Sequence, residues 1–449
     1  MKDENFLKEN NARFQWHPMG HPGAALKDPP RIITGADGVH ITDIDGHRVV
    51  DAVGGLWNVN LGFSNSAIKA AIAAQLEALP YYSSFSGTAN DAEIELSYVL
   101  QEFFAPDGLS RAFFTSGGSD SVDVALKLAR QYHHVRGESG RTKFISLVKG
   151  YHGTHFGGAS VNGNAKFRHP YEPLLPGCIH IPGPYLYRNP FGVTTPEALA
   201  QKCAEALEDA ILFQGAHTVA AFIMEPVLGA GGAINPHPSF MPLMREVCDR
   251  HGVLLIADEV ITAFGRTGSQ SGSRHWGVQP DLMTTAKAIT NGYFPFGAVM
   301  ISDHVAQVFE EGDGRASVDT GYTYSGHPVG AAAAVVCMAE TERLKPWENA
   351  AALSPVMSTG LHGLKDAFDL VGDVRGTGLM WALELVSDQA AKTPAAPETM
   401  QAFQKAAWEA GAMIRVSGNI AIFSPSLVLT EGDAETILAA ARAGLAAVS

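Results

Sequence analysis

The chain has 449 residues, 46% of them hydrophobic and 17% charged, with a formal net charge of −14. That balance belongs to a compact folded protein and excludes a disordered one, and the length allows about three domains of ~150 residues, which large α/β enzymes often merge. The acidity excludes a broad phosphate-binding face for nucleic acid, so an anionic ligand must be met by a local cation.

In chain order, Val39–Asp43 and Arg48–Asp51 read as a hairpin. Arg111–Thr115 (RAFFT) is a β-like run followed by a helical stretch from Ser119 to about Val135. Lys143–Val148 is a second β-like run. Pro196–Ile211 is helical, Val219–Met224 (VAAFIM) β-like, His237–Asp249 helical, and Val253–Ala257 (VLLIA) and Ala298–Ile301 β-like. Buried apolar runs alternating with helices predict an α/β unit around a mostly parallel sheet. The last hundred residues change character. Arg375–Leu385 is β-like, Glu398–Ala410 helical, Asn419–Phe423 a strand, and the tail from Ala434 helical. This predicts a smaller α+β lobe that the first fifty residues join. The polar start MKDENFLKEN carries no signal-peptide pattern, and no run approaches the ~18 apolar residues of a membrane span. Cys178, Cys203, Cys248 and Cys337 form no CxxC pair, which argues against a zinc site and a disulfide framework and for a cytoplasmic protein.

Four features carry chemistry. VLLIADEV ends in the adjacent acids Asp258 and Glu259, at the strand end where open α/β sheets bind ligands; alone, the pair fits a helix cap or ion pair equally well. Lys287, in DLMTTAKAITNGYFPFGAV, has small neighbours. Desolvation there depresses an amine's pKa and makes it a nucleophile toward an aldehyde; Lys149 is the lesser candidate. In FFTSGGSDS, Gly117, Gly118 and Ser119 open a helix after a strand, an arrangement that binds anions or serves only as a turn with a cap. It is neither a P-loop nor GxGxxG. In KGYHGTHFGG, Tyr151 stands beside glycines, placed to lie flat on a planar ligand or to pack in a core. Together the four supply what a planar cofactor with a phosphate, a ring nitrogen and an aldehyde requires.

In these motifs the chain resembles the class III aminotransferases of pyridoxal-phosphate fold type I, particularly the ω-amino acid and amine:pyruvate transaminases. The resemblance runs from Trp16–Gly20 (WHPMG) to the final helix and is most specific in Asp258–Gly268 (DEVITAFGRTG), Pro280–Val299 and Tyr322–Gly330 (YTYSGHPVG). It implies a large domain, residues 60–330, with a mostly parallel seven-stranded sheet flanked by helices. Residues 1–59 and 331–449 would form the smaller α+β domain. It implies pyridoxal 5′-phosphate (PLP) as cofactor and a reaction in two halves, from an ω-amino acid or primary amine to pyruvate or a related 2-oxo acid. Lys287 would bond the cofactor and shuttle a proton, while Asp258 would pair with the ring nitrogen. Val260 and Tyr151 would pack on the two ring faces, with His152 nearby. Gly118 and Ser119 would hold the phosphate, with Thr323 reaching across from a second subunit of a homodimer. Glu225 would sit near the cofactor hydroxyl. Arg415 would receive a substrate carboxylate, and Trp57, Phe85 and Met19 would line the pocket.

Two positions depart from the family pattern. Asp120 replaces the usual glutamate of the phosphate turn, and Met19 stands where many amine-accepting relatives carry an aromatic. Two other readings compete: the same cofactor used by an aminomutase or decarboxylating transaminase, and a nucleotide-binding α/β protein without PLP.

Overall fold

The computed structural model describes residues 3–85 and 87–449. Its centre is a seven-stranded sheet built from β1 (Leu109–Thr115), β2 (Lys143–Leu147), β3 (Cys178–Ile181), β4 (Val219–Met224), β5 (Leu254–Asp258), β6 (Leu282–Thr285) and β7 (Gly297–Ser302). The strand order is β1-β7-β6-β5-β4-β2-β3. Strands β3, β2, β4, β5 and β6 pair in parallel, and only β7 runs antiparallel to its neighbours β6 and β1. Every residue of β4, β5 and β6 is buried. That explains their unbroken apolar runs, since helices cover both faces of a parallel sheet.

Two strands escape the apolar-run criterion. β3 (CIHI) is a short edge strand only partly buried. β6 (LMTT) ends in two hydroxyl side chains, so in the sequence it merges with the lysine segment that follows. The helix after β1 spans Gly118–Val135, and those read around 196–211 and 237–249 span Pro196–Gln214 and Phe240–His251. Helices Ser66–Ala78 and Asp91–Phe104 pack against Pro328–Leu344; none of the three was read from the apolar pattern, which in Pro328–Leu344 is a near-uniform run of small residues. No described helix is long and apolar enough to cross a membrane.

The run expected at 375–385 is two strands, Val371–Thr377 and Met380–Asp388, joined at Gly378, where φ is +55°. A Cβ there would collide with the Arg266 carbonyl oxygen, so the turn requires glycine. Ile420–Phe423 and Arg415–Ser417 extend this sheet. In the N-terminal sheet Ile33–Asp37, His40–Asp43 and Arg48–Asp51 are joined in parallel by Ala412–Met413 from near the other end of the chain. One apolar cluster accordingly holds Val39, Val50 and Ala52 together with residues between Ala350 and Leu445.

Candidate active site

The chain order of the sheet reverses between β2 and β4, which lie side by side: β3 lies outward of β2, whereas β5, β6 and β7 follow β4 in the other direction. Loops leaving the carboxyl ends of strands diverge at such a point and leave a crevice. The loop after β2 brings Tyr151 and His152, β4 is followed by Glu225, β5 ends in Asp258, and Lys287 follows β6. The two sides of the divide are stitched together. The Tyr151 backbone N–H donates to Glu225 Oε1 at 2.8 Å, and Gly229 N–H donates to Glu225 Oε2 at 2.8 Å.

Asp258 is buried, and both of its oxygens are engaged. Its Oδ1 accepts from Val260 N–H at 3.2 Å and from the Thr284 hydroxyl at 3.0 Å, and its Oδ2 lies 2.7 Å from His152 Nδ1. A carboxylate only accepts, so His152 carries its proton on Nδ1. His152 Nε2 is then left buried with no partner. Unpartnered buried polar atoms are uncommon and call for a missing group.

Lys287 is half-buried at the head of a short 3₁₀ turn, with φ +54°, a conformation that strains a non-glycine residue and clusters at functional sites. Burial pushes its amine down to about 8, against the opposing pull of Asp258 and Glu225. Burial pushes Glu225 up to about 7, with His152 acting against the rise.

The helix Gly118–Val135 begins without a side-chain cap, which leaves its first N–H groups available to an anion. Ser119 Oγ accepts from Thr154 N–H at 3.2 Å. A Cβ on Gly118 would sit 3.0 Å from a Val260 methyl, so glycine there lets Val260 close over the turn. Asp120 folds back: one oxygen accepts from Ser116 N–H at 3.1 Å and the other lies 3.3 Å from His155 Nδ1. A cavity of about 140 Å³ is lined by Gly118, Ser119, Tyr151, His152, Glu225, Asp258, Val260 and Lys287, with Val122, Gly153 and Ile261.

Other expected residues lie outside this cavity in their own chain. Thr323 is exposed, its carbonyl accepting from the Tyr81 hydroxyl at 2.7 Å. Phe85 is exposed against Gly321 of the same segment. Met19 is exposed over a neighbouring depression with Phe156, Phe167 and Tyr171, and Phe167 meets Tyr151 edge-on at 5.0 Å. Trp57 is buried among Val227, Ile261, Met380 and Ile422, its indole N–H unpartnered; through Ile261 it backs the cavity wall. Arg415 is half-buried, and among the described residues its guanidinium makes neither hydrogen bond nor ion pair. Burial lowers its pKa while Tyr151 opposes this.

The profile of the family described as aminotransferase class-III matches residues 24–443. The chain belongs to this family. It is 36% identical over 414 residues to the putrescine–pyruvate aminotransferase of Pseudomonas aeruginosa, covering 92% of this chain and 90% of that one. It is likewise 36% identical over 433 residues to the diaminobutyrate–2-oxoglutarate transaminase of Halomonas elongata, covering 93% and 92%. The crystal structure of a PLP-bound amine transaminase from an uncultivated Pseudomonas species superposes with a TM-score of 0.95 at 46% identity, covering 97% of this chain and 99% of that one. This class III aminotransferase is therefore a fold type I enzyme and its cofactor is PLP.

The residues present fit that group. A buried acid waits at the strand end, an amine of depressed pKa follows the next strand, an uncapped helix start offers N–H groups to a phosphate, and His152 Nε2 lacks a partner. Sequence reasoning missed Thr284 and Arg266. Arg266 is wholly buried and donates to Leu379 O at 3.1 Å, Pro425 O and Asn60 Oδ1 at 2.6 Å, tying Asn60 and two C-terminal segments to the loop after β5. Only three-dimensional register reveals either residue.

The lysine also sets a pH dependence. Below about 8 it is an ammonium ion and cannot attack an aldehyde; above, it is a free amine. The rate at which cofactor-free protein recaptures PLP, followed by stopped-flow absorbance, is expected to rise with pH to a midpoint near 8 and then level off. Glu225 raises the lysine's pKa, so Glu225→Gln is expected to move that midpoint downward.

Proposed function

We propose that this aminotransferase moves an amino group from an ω-amino acid or primary amine to pyruvate or a related 2-oxo acid, and that it works as a homodimer. The observation that carries the substrate reading is Arg415: a half-buried guanidinium without a counter-ion among the described residues, electrostatically coupled to Tyr151 and Lys287. A planar guanidinium captures a carboxylate through two parallel hydrogen bonds. The relatives divide by acceptor, one named for pyruvate and another for 2-oxoglutarate; the 46% identity to a protein named as an amine transaminase supports the amine-donor reading. The dimer reading rests on the exposed aromatic surface of Tyr81, Tyr82, Phe85 and Tyr324 beside Thr323. Four free cysteines suit a cytoplasmic setting.

When bound, PLP supplies an aldehyde for the donor amine and an electron-withdrawing ring. Lys287 Nζ holds the cofactor and accepts the proton leaving the donor's amine-bearing carbon. Asp258 holds a proton on the ring nitrogen, and its other contacts keep it aimed. Tyr151 and Val260 confine the ring and exclude water, while Gly118 and Ser119 orient the phosphate. Arg415 orients the carboxylate end of the acceptor.

The decisive assay measures alanine formed from pyruvate with β-alanine, taurine, γ-aminobutyrate and 1-phenylethylamine as donors; no alanine from any of them defeats the proposal, and glutamate formed from 2-oxoglutarate instead would change the acceptor. Arg415→Ala is expected to lower kcat/KM for pyruvate by about ten- to a hundred-fold, the range for losing hydrogen bonds to a charged group. The half-reaction with 1-phenylethylamine, which has no carboxylate, should change less than about three-fold. Equal losses in the two half-reactions would mean that Arg415 does not read carboxylates.

A further inference from the structure

The grip on Asp258 contains a side chain that no motif singled out. Asp258 and Thr284 face each other in the parallel register of β5 and β6, and Glu259 N–H donates to the Thr284 carbonyl at 3.0 Å just beyond. The Thr284 hydroxyl donates to Asp258 Oδ1 at 3.0 Å and is fully buried, so no water can replace that partner. Its neighbour Thr285 turns its hydroxyl to the Ala298 carbonyl at 3.2 Å, the self-satisfying arrangement of a threonine that only packs. A carboxylate oxygen accepts about two hydrogen bonds. Oδ1 holds two, from Val260 N–H and Thr284, whereas Oδ2 holds one, from His152.

We propose that Thr284 is a positioning residue that fills Oδ1 and thereby leaves Oδ2 as the oxygen that receives the N–H of the cofactor ring. Lys287 lies three residues further along the same segment. One strand register sets the separation of the two groups that grip opposite ends of the ring. This inference rests on the PLP reading of the site but not on the choice of substrate.

The test compares Thr284→Val, which keeps the shape and removes the hydroxyl, with Thr284→Ser, which keeps the hydroxyl. In the absence of any amine, PLP affinity is measured by equilibrium dialysis, and the bound cofactor's visible absorption band is titrated with pH. For Thr284→Val the Kd is expected to rise about ten-fold, as for one lost hydrogen bond to a charged group, and the band's midpoint to move upward as the hold on the ring proton loosens. Thr284→Ser should match the parent in both. Separately, kcat for the valine variant should fall by a similar factor while KM stays within about two-fold. A valine variant with parental Kd and band midpoint overturns the proposal, whatever its melting temperature, because a residue that merely packs would alter only the latter. So does a serine variant that fails to restore them. Should the valine variant be insoluble, Thr284→Ala against Thr284→Ser decides by the same two readouts. Because these readouts need no substrate, a wrong donor or acceptor in the proposed function leaves them intact.

Discussion

Replacing Lys287 by alanine is expected to lower turnover by at least about 10⁴-fold, the upper end of what one positioned proton-transfer group contributes, while leaving the fold in place. The amine is held at about 8 by burial, so the folded state disfavours its protonated form and loses nothing electrostatically when the amine is removed. The backbone at Lys287 has φ +54°, a strain that alanine inherits unchanged, so the substitution adds no new backbone cost. Circular dichroism should show a cooperative transition with a melting temperature within a few degrees of the parent. Sodium borohydride should fix no cofactor to the variant. A collapsed melting transition, or alanine production above about a hundredth of the parent rate, contradicts the assignment.

Asp258→Asn should cost about 10²–10³-fold in kcat, comparable to removing one preorganised electrostatic partner of a transition state, with PLP still bound. The physical problem is a mismatch of donors. Thr284 and Val260 donate to one oxygen, and His152 faces the other. An amide offers one acceptor and one donor group, so its NH₂ must confront either those N–H and O–H groups or the histidine. It also cannot hold a positive ring nitrogen. Single-turnover kinetics with a deuterated donor would locate the loss in the proton-transfer step; a near-parental rate there removes Asp258 from its role.

Much of the framework was legible as apolar runs: VAAFIM and VLLIA lie in central strands buried on both faces, KFISL in a strand buried but for its first residue, and RAFFT in a half-buried edge strand marked by its two phenylalanines. What escaped did so for identifiable reasons. The edge strand Cys178–Ile181 carries a histidine and has solvent on one side. Leu282–Thr285 was hidden by its two threonines. The hairpin at Gly378 looked like one strand, because a glycine turn within an apolar run leaves no break in composition. In the cavity, residues announced by strand ends and glycine turns were visible from composition and spacing. Thr284 was not, because its meaning comes from the strand beside it. Phe85, Met19 and Thr323 stand away from the cavity.

The pairing of Arg48–Asp51 with Ala412–Met413 has a consequence for biogenesis. Val50 N–H donates to the Gly411 carbonyl, and Ala52 N–H to that of Met413, so the hairpin finds its neighbour only after some 360 further residues have been polymerised. Contacts of such sequence separation close late and slowly. Until then the strand edge stays open, and the nascent polypeptide must shield it from other chains.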